Sequence, residues 1–278
     1  RPVTGHPAPP PMGHVSAAVA VALALALALA RARAHAHAHA HASPPAPVQP
    51  FDWAHGAGGD YLAPRATYLN PPGCRASWAF AAASMVSSRM AIRSRGVSPK
   101  VSISPQVLLN CATPMWEDGC EVGQVVWALE HIKSQGIVDN TCMGYRGKQQ
   151  WCIPRHVCVS CYPFCTPVKE YIIYKIESYT SLDVSDQRSL RNEIEENGPI
   201  ACTFRRNISV DGGPQDPGFS AVVTGFSNET HFNVDPSWGE IRFSNDTSVP
   251  IAMGIYSLQI SERSVIGCWA GKPGSRSI

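Results

Sequence analysis

The sequence predicts an α+β protein, helical in its first half and sheet-forming in its second, and three observations carry that prediction. Helix signals come first along the chain and strand signals follow, the order that segregates helices from an antiparallel sheet. All ten cysteines lie downstream of residue 70, an even number that argues for a disulfide-stabilised fold in an oxidising compartment. The 278 residues are 44% hydrophobic, which suffices for a buried core in one large domain or two small ones. Net charge is only +2, and Lys and Arg are scattered singly with no basic stripe among aromatics. Nucleic acid is therefore not an expected partner.

The first fifty residues differ in kind from the rest. Residues 1–11 precede Met12 and read as upstream or fragment sequence. From Met12 a short polar start leads into a run of small and apolar residues, followed by alternating Ala at Ala30, Ala32 and Ala34, the layout of a secretory signal peptide. A transmembrane anchor is the competing reading, but the run is mostly Ala and falls short of the ~20 apolar residues that a span needs. No membrane span is expected. The AHAHAHAHA stretch at 34–42 offers imidazoles to a divalent metal, against the simpler reading of a repeat-expanded tail of the signal region. We assign 12–43 to the signal and its Ala/His tail, 44–50 to a Pro-rich linker, and 51–278 to the folded part. Only about ten residues then separate the signal from Phe51, so no inhibitory pro-segment is expected.

Each element has its own signal. WAFAAASMVSSRMAIRSR has apolar residues spaced for a buried helix, with an Ala run that lets neighbours pack close. Ser77 stands at its N-terminal end, where the helix dipole favours a negative group. SISPQVLLNC reads as a second helix started by Ser104 and Pro105, and GQVVWALEHIKSQG as a third closed by Gly136. SLRNEIEENG is a fourth, also stopped by Gly. YIIYKIESYTSL, PIACTFRR, FSAVVTGFS, HFNVDPSW and GIYSLQI read as strands.

Cysteine chemistry follows from compartment. C-x2-C occurs at Cys158 and Cys161, and a structural zinc site is the rival to disulfides there, but such a site normally shows a second ligand pair at matched spacing. Disulfides are expected, with no metal and no cofactor. Three sequons, at Asn207, Asn228 and Asn245, fit the same compartment as glycosylation sites.

GCRASWAF at 73–80 is close to the pattern C-G-[SA]-C-[WY] that opens a catalytic helix, with Ser77 where the second Cys would stand. On this motif, on FDWAHGAGGDYLAPRATYLNPPGC, SPQVLLNC and GCEVG, and on the cysteine spacing of CMGYRGKQQWCIPRHVCVSC, the chain resembles the papain-like cysteine peptidases, most closely their cathepsin Z branch. The resemblance covers Phe51 to about Trp238. It implies a two-lobed fold, a helical lobe at about 66–165 and a β-barrel lobe at about 166–278. It also implies the bridges Cys74–Cys120, Cys111–Cys152, Cys142–Cys158, Cys161–Cys165 and Cys202–Cys268.

The same resemblance locates the catalytic positions. The nucleophile position holds Ser77. Counting back from Gly225-Phe226 puts the base position at Phe219, with Ser220 as its neighbour. The orienting Asn would stand at Pro236, before Ser237-Trp238-Gly239, and the oxyanion donor aligns with Tyr68. Thiol peptidases need a thiolate, an imidazole, a side chain to orient it and oxyanion donors, and none of these four residues supplies its counterpart directly. His55, His131, His156 and His231 align with no catalytic position. Arg75 replaces a Gly beside the nucleophile, and Val122 replaces the first of two glycines that bind substrate backbone, of which Gly123 remains. The implied protein is a secreted or endolysosomal, monomeric pseudopeptidase that binds a peptide or protein ligand in its cleft. The alternatives are an active cathepsin Z-like carboxypeptidase and a serine hydrolase using Ser77.

Overall fold

The computed structural model describes residues 17–40, 47–54, 61–64, 66–97, 99–152, 158–161, 163–205, 218–235, 256–259 and 265–277. Contacts divide the chain into two units, Arg1–Pro47 and Val48–Ile278. The first unit contains helix α1 (Ala17–Ala40), within the segment read as a signal. No described helix is long and apolar enough to cross a membrane. The His side chains of the 34–42 repeat lie outside the described residues.

In the second unit, helix α2 (Ser77–Arg93) is the central rod. Ala79, Ala81, Ala82 and Ala83 are all buried on it, and their small side chains let helices and sheet approach from opposite sides. Helix α3 (Pro105–Cys111) begins at Ser104, whose hydroxyl accepts the Val107 N–H, a side-chain cap on an otherwise orphaned donor. Helix α4 (Val125–Ser134) stops before Gly136, whose φ of +83° is a left-handed conformation open to glycine. Helix α5 (Gln187–Asn197) is capped by Asp186, which accepts the Ser189 N–H, and ends at Gly198 with φ +109°. All four helices stand where the sequence places them.

The strands are β1 (Phe51–Asp52), β2 (Val159–Cys161), β3 (Cys165–Pro167), β4 (Ile173–Leu182), β5 (Ile200–Phe204), β6 (Phe219–Phe226), β7 (His231–Asp235), β8 (Tyr256–Gln259) and β9 (Val265–Ser277). Seven of them form one sheet in the order β4-β9-β5-β6-β7-β8, with β1 added alongside β6. Among the described residues no pairing joins β8 back to β4, so the expected barrel is seen as an open antiparallel sheet. Five strands answer the five strand signals. The longest, β9, has no counterpart among them, because its Gly267, Gly271, Pro273 and Gly274 read as turn residues. Pro273 sits at a register shift opposite Ile176, beyond the stretch that β9 shares with β5, where a missing N–H is tolerated. The lobe boundary expected near 165 falls inside the separate β2–β3 hairpin.

Two buried clusters result. One packs α2, α3 and α4 against Tyr174, Ile176, Ala201 and Val222 of the sheet, and the other packs α5 on the far side of β5, β6 and β9. The bridges Cys74–Cys120, Cys111–Cys152, Cys142–Cys158 and Cys202–Cys268 are formed as expected. Cys165 is also disulfide-bonded, and the hairpin register sets Cys161 opposite it.

Candidate functional site

The head of α2 meets the sheet at the start of β6. Upstream, the chain is fixed by the Cys74–Cys120 bridge and by the Arg75 N–H, which donates to the Cys120 carbonyl at 2.9 Å. Ala76 caps α2 without a side-chain hydrogen bond. Ser77 follows as the first helical residue and is buried. Its Oγ accepts the backbone N–H of Ser220 at 3.1 Å. The Ser220 hydroxyl lies 2.8 Å from Thr203 Oγ1 on β5, so the sheet side of this junction presents a peptide N–H and two hydroxyls. Phe219 turns its ring onto Phe204, stacked at 5.4 Å between centroids.

Among the described residues, none of the groups bonded at this junction is a base at neutral pH. A peptide N–H is a donor only, and a neutral hydroxyl does not hold the proton of another hydroxyl. The described histidines stand elsewhere. His231 opens β7 at the hairpin with β6, six residues along β6 from Ser220, about 20 Å at the rise of a strand. Its Nδ1 lies 3.1 Å from Thr230 Oγ1 and 3.2 Å from Asn228 Oδ1. His131 is half-buried on α4, and burial pushes its pKa below the usual imidazole value. His55, His156, Pro236, Ser237, Trp238, Asn207 and Asn245 lie outside the described residues.

Tyr68 is brought beside the first turn of α2. Its ring meets Phe80 edge to face at 6.0 Å, and its carbonyl accepts the Tyr145 hydroxyl at 3.0 Å. Tyr145 also packs on Phe80, at 4.8 Å. Burial, with Tyr68 adding to it, pushes the Tyr145 phenol up to about 12. The sequence reading did not single out Tyr145, although an aromatic three residues after Cys142 in a disulfide-rich run is a reasonable packing signal.

The helical rim carries two further contacts. The Arg75 guanidinium lies 3.9 Å from Glu121, with both side chains more than half exposed. Gly123 has a packing reason that the sequence reading missed. A Cβ there would stand 2.0 Å from the indole of Trp78, which is itself buried and donates to the Gly119 carbonyl at 3.0 Å. Val122, between them, is 41% exposed and presents an apolar side chain at the rim. Among the described residues no group of three or more His, Cys, Asp or Glu is placed to hold a metal ion.

Further along α2 stands a residue that sequence reasoning passed over. Arg89 is 3% exposed and donates from Nε to the Pro199 carbonyl at 2.6 Å, and from Nη2 to the Gly198 carbonyl at 3.0 Å and to Glu193 at 2.7 Å. Nη1 reaches the Gly271 carbonyl at 3.4 Å. Burial lowers its pKa, and the Glu193 carboxylate opposes that shift. The signal available was an Arg inside SMVSSRMAI, four residues after the buried Met85, on a face meant for apolar residues.

Comparison with known proteins gives these contacts a context. The family model described as "Papain family cysteine protease" matches residues 51–210, more than half of the chain. That span includes Tyr68, Arg75, Ser77, Val122 and Gly123 and ends before Phe219. Cathepsin Z of Onchocerca volvulus is 30% identical over 153 residues, which is 55% of this chain and 48% of the relative. Tubulointerstitial nephritis antigen-like of Rattus norvegicus is 29% identical over 147 residues, 48% of this chain and 31% of the relative. The chain thus spans half or less of the length of these curated relatives. Among solved structures, one from a study of the mite allergens Blo t 1 and Der p 1 has a TM-score of 0.59 at 18% identity, covering 84% of this chain and 73% of that one. The proform of the ragweed pollen allergen Amb a 11, a cysteine protease, has a TM-score of 0.58 at 18% identity, covering 84% and 69%.

Proposed function

The chain belongs to the papain family of cysteine proteases, and from that premise we propose that it is a family member that binds peptides or proteins without cleaving them, in the secretory or endolysosomal lumen. The observation that carries this reading is the bond from the Ser220 peptide N–H to Ser77 Oγ. Where a nucleophile would need a base, Ser77 is met by a donor. A serine hydroxyl is a far weaker acid than a thiol and does not ionise without a base in hydrogen-bond reach. The stacking of Phe219 on Phe204 supports the same reading, because that side chain is committed to the sheet's packing. The relatives include proteins named as antigens as well as proteins named as proteinases.

The ligand site is the rim formed by Arg75, Val122 and Gly123 above Ser77. Val122 offers apolar area, and Arg75 offers guanidinium donors shared with the Glu121 carboxylate. An acidic segment competes with Glu121 for those donors.

The test is turnover by purified protein across endo- and carboxypeptidase substrates, together with fluorophosphonate labelling. Neither turnover nor labelling of Ser77 is expected, and Ser77→Cys is expected to leave turnover absent. Nucleophile and base act as a unit, so their joint loss lowers turnover by on the order of a millionfold. Probe labelling that disappears in Ser77→Ala would establish a serine hydrolase. Carboxypeptidase turnover appearing in Ser77→Cys would reveal a base near the head of α2 and return the chain to the active peptidases.

A further inference from the structure

We propose that Asn228 is an occupied N-glycosylation site whose glycan projects from the sheet lobe at the end of β6 remote from Ser77. The proposal rests on the secretory reading above for access to the sugar donor. Asn228-Glu229-Thr230 is a sequon, Asn-x-Thr, and the fold sets it in the turn between β6 and β7, with Asn228 exposed. The turn is held from both sides. The Ser227 N–H donates to the His231 carbonyl at 2.9 Å, and the Arg191 guanidinium on α5 donates to the Glu229 carbonyl.

The carboxamide of Asn228 has a defined orientation in that turn. Its Oδ1 accepts the backbone N–H groups of Thr230 and His231, each at 3.0 Å, with the Thr230 hydroxyl at 3.4 Å and the His231 ring nitrogen at 3.2 Å. The oxygen arm is therefore folded onto the chain. The amide is planar, so Nδ2 lies on the opposite arm and points away from these donors. Among the described residues it takes part in no hydrogen bond, and it is the atom that the modification uses.

Glycosyl transfer at this atom forms a bond from Nδ2 to the anomeric carbon of a lipid-pyrophosphate-linked oligosaccharide. The bond from that carbon to the pyrophosphate oxygen breaks. The lipid pyrophosphate departs with the electron pair, and one Nδ2 proton is lost. The chain supplies the acceptor, and the secretory compartment supplies donor and enzyme. Six residues of β6 separate Phe226 at the turn from Ser220 at the junction with α2, about 20 Å at 3.3 Å per residue. A glycan at Asn228 consequently leaves the Arg75–Val122 rim open to a ligand.

The experiment expresses the full chain in cultured animal cells twice, once with its own N-terminal segment and once behind an added secretion leader. Peptide-N-glycosidase treatment in heavy-oxygen water then marks each formerly glycosylated Asn as labelled Asp. Labelling at Asn228 is expected in both, lost in Thr230→Ala and retained in Thr230→Ser. These readings are made on the peptide, so they do not depend on whether Asn228→Gln folds. Secreted protein from the leader-driven chain with Asn228 bare would overturn the proposal. Labelling with the added leader but not with the native N-terminal segment would uphold the acceptor and overturn the secretory reading of that segment.

Discussion

The two ends of α2 are built on opposite terms. At its head, Ser77 is an uncharged hydroxyl accepting one peptide N–H, and the rim cation Arg75 shares its charge loosely with Glu121 at the surface. Twelve residues on, about 18 Å along the axis, Arg89 is a buried cation bonded to three backbone carbonyls and a carboxylate. Those partners come from the end of α5, the turn into β5, and β9, so one side chain from the central helix gathers three parts of the sheet lobe. The Gly198 and Pro199 carbonyls follow the C-terminus of α5, where the helix dipole also favours a cation. Among the described residues of α2, the most extensive side-chain bonding is thus at Arg89, where it ties the helix to α5, the turn into β5 and β9.

Substitutions along α2 measure that contrast. The largest effect is expected from Arg89→Met, which removes the guanidinium from three carbonyls and from Glu193, whose carboxylate keeps only Asn197 as a side-chain donor. Losing one partner of a buried pair typically costs about 3–5 kcal/mol, and denaturant unfolding monitored by Trp fluorescence reads it directly. A loss below about 1 kcal/mol would place the lobe contact elsewhere. Gly123→Ala comes next. Its Cβ cannot share space with the Trp78 indole, so the rim must move, at about 1–3 kcal/mol for an overpacked core and with a weaker bound ligand. Ser77→Ala removes an acceptor from one N–H and is expected to cost about 1 kcal/mol with ligand affinity unchanged. A Ser77→Ala penalty matching that of Arg89→Met would erase the difference between the two ends.

The smallest effect on stability is expected at Arg75. Exposed pairs contribute little, so Arg75→Gly and Glu121→Gln should both leave the melting temperature nearly unchanged. Their effects on an acidic peptide should oppose each other. Arg75→Gly weakens its binding, and Glu121→Gln strengthens it by freeing the guanidinium, with both effects fading as salt is raised. Equal responses to the two substitutions would remove Arg75 from the ligand site.

Local signals were enough for the helices and for the strands with alternating or β-branched runs, because their caps and periodicity are written within a few residues. Ser104, Gly136 and Gly198 each act at the position where they stand. What escaped depends on distant partners. β9 looks like a loop until β4 and β5 are set on either side of it. Arg89 looks like one more scattered basic residue until the carbonyls that surround it, 109 to 182 positions away in sequence, are in place. Gly123 could be assigned a role from its motif, but the closeness of Trp78 appears only once the Cys74–Cys120 bridge draws the two segments together. Of the candidate site, Ser77 at the head of α2 and Ser220 at the start of β6 were legible as positions that meet, while Pro236 lies outside the described residues. The site's chemistry, a donor facing Ser77, needed the sheet.

The placement of β9 also bears on the order in which the molecule can assemble during synthesis. β9 lies between β4 and β5, so when β5 leaves the ribosome the slot beside it is still vacant. Cys202 then waits for Cys268, which follows 66 positions later, an interval on the order of 3–13 s at usual elongation rates. The Cys74–Cys120, Cys111–Cys152 and Cys142–Cys158 pairs are complete before Cys202 is made. The helical lobe can therefore lock early and withdraw its thiols, leaving Cys202 few wrong partners while its strand waits.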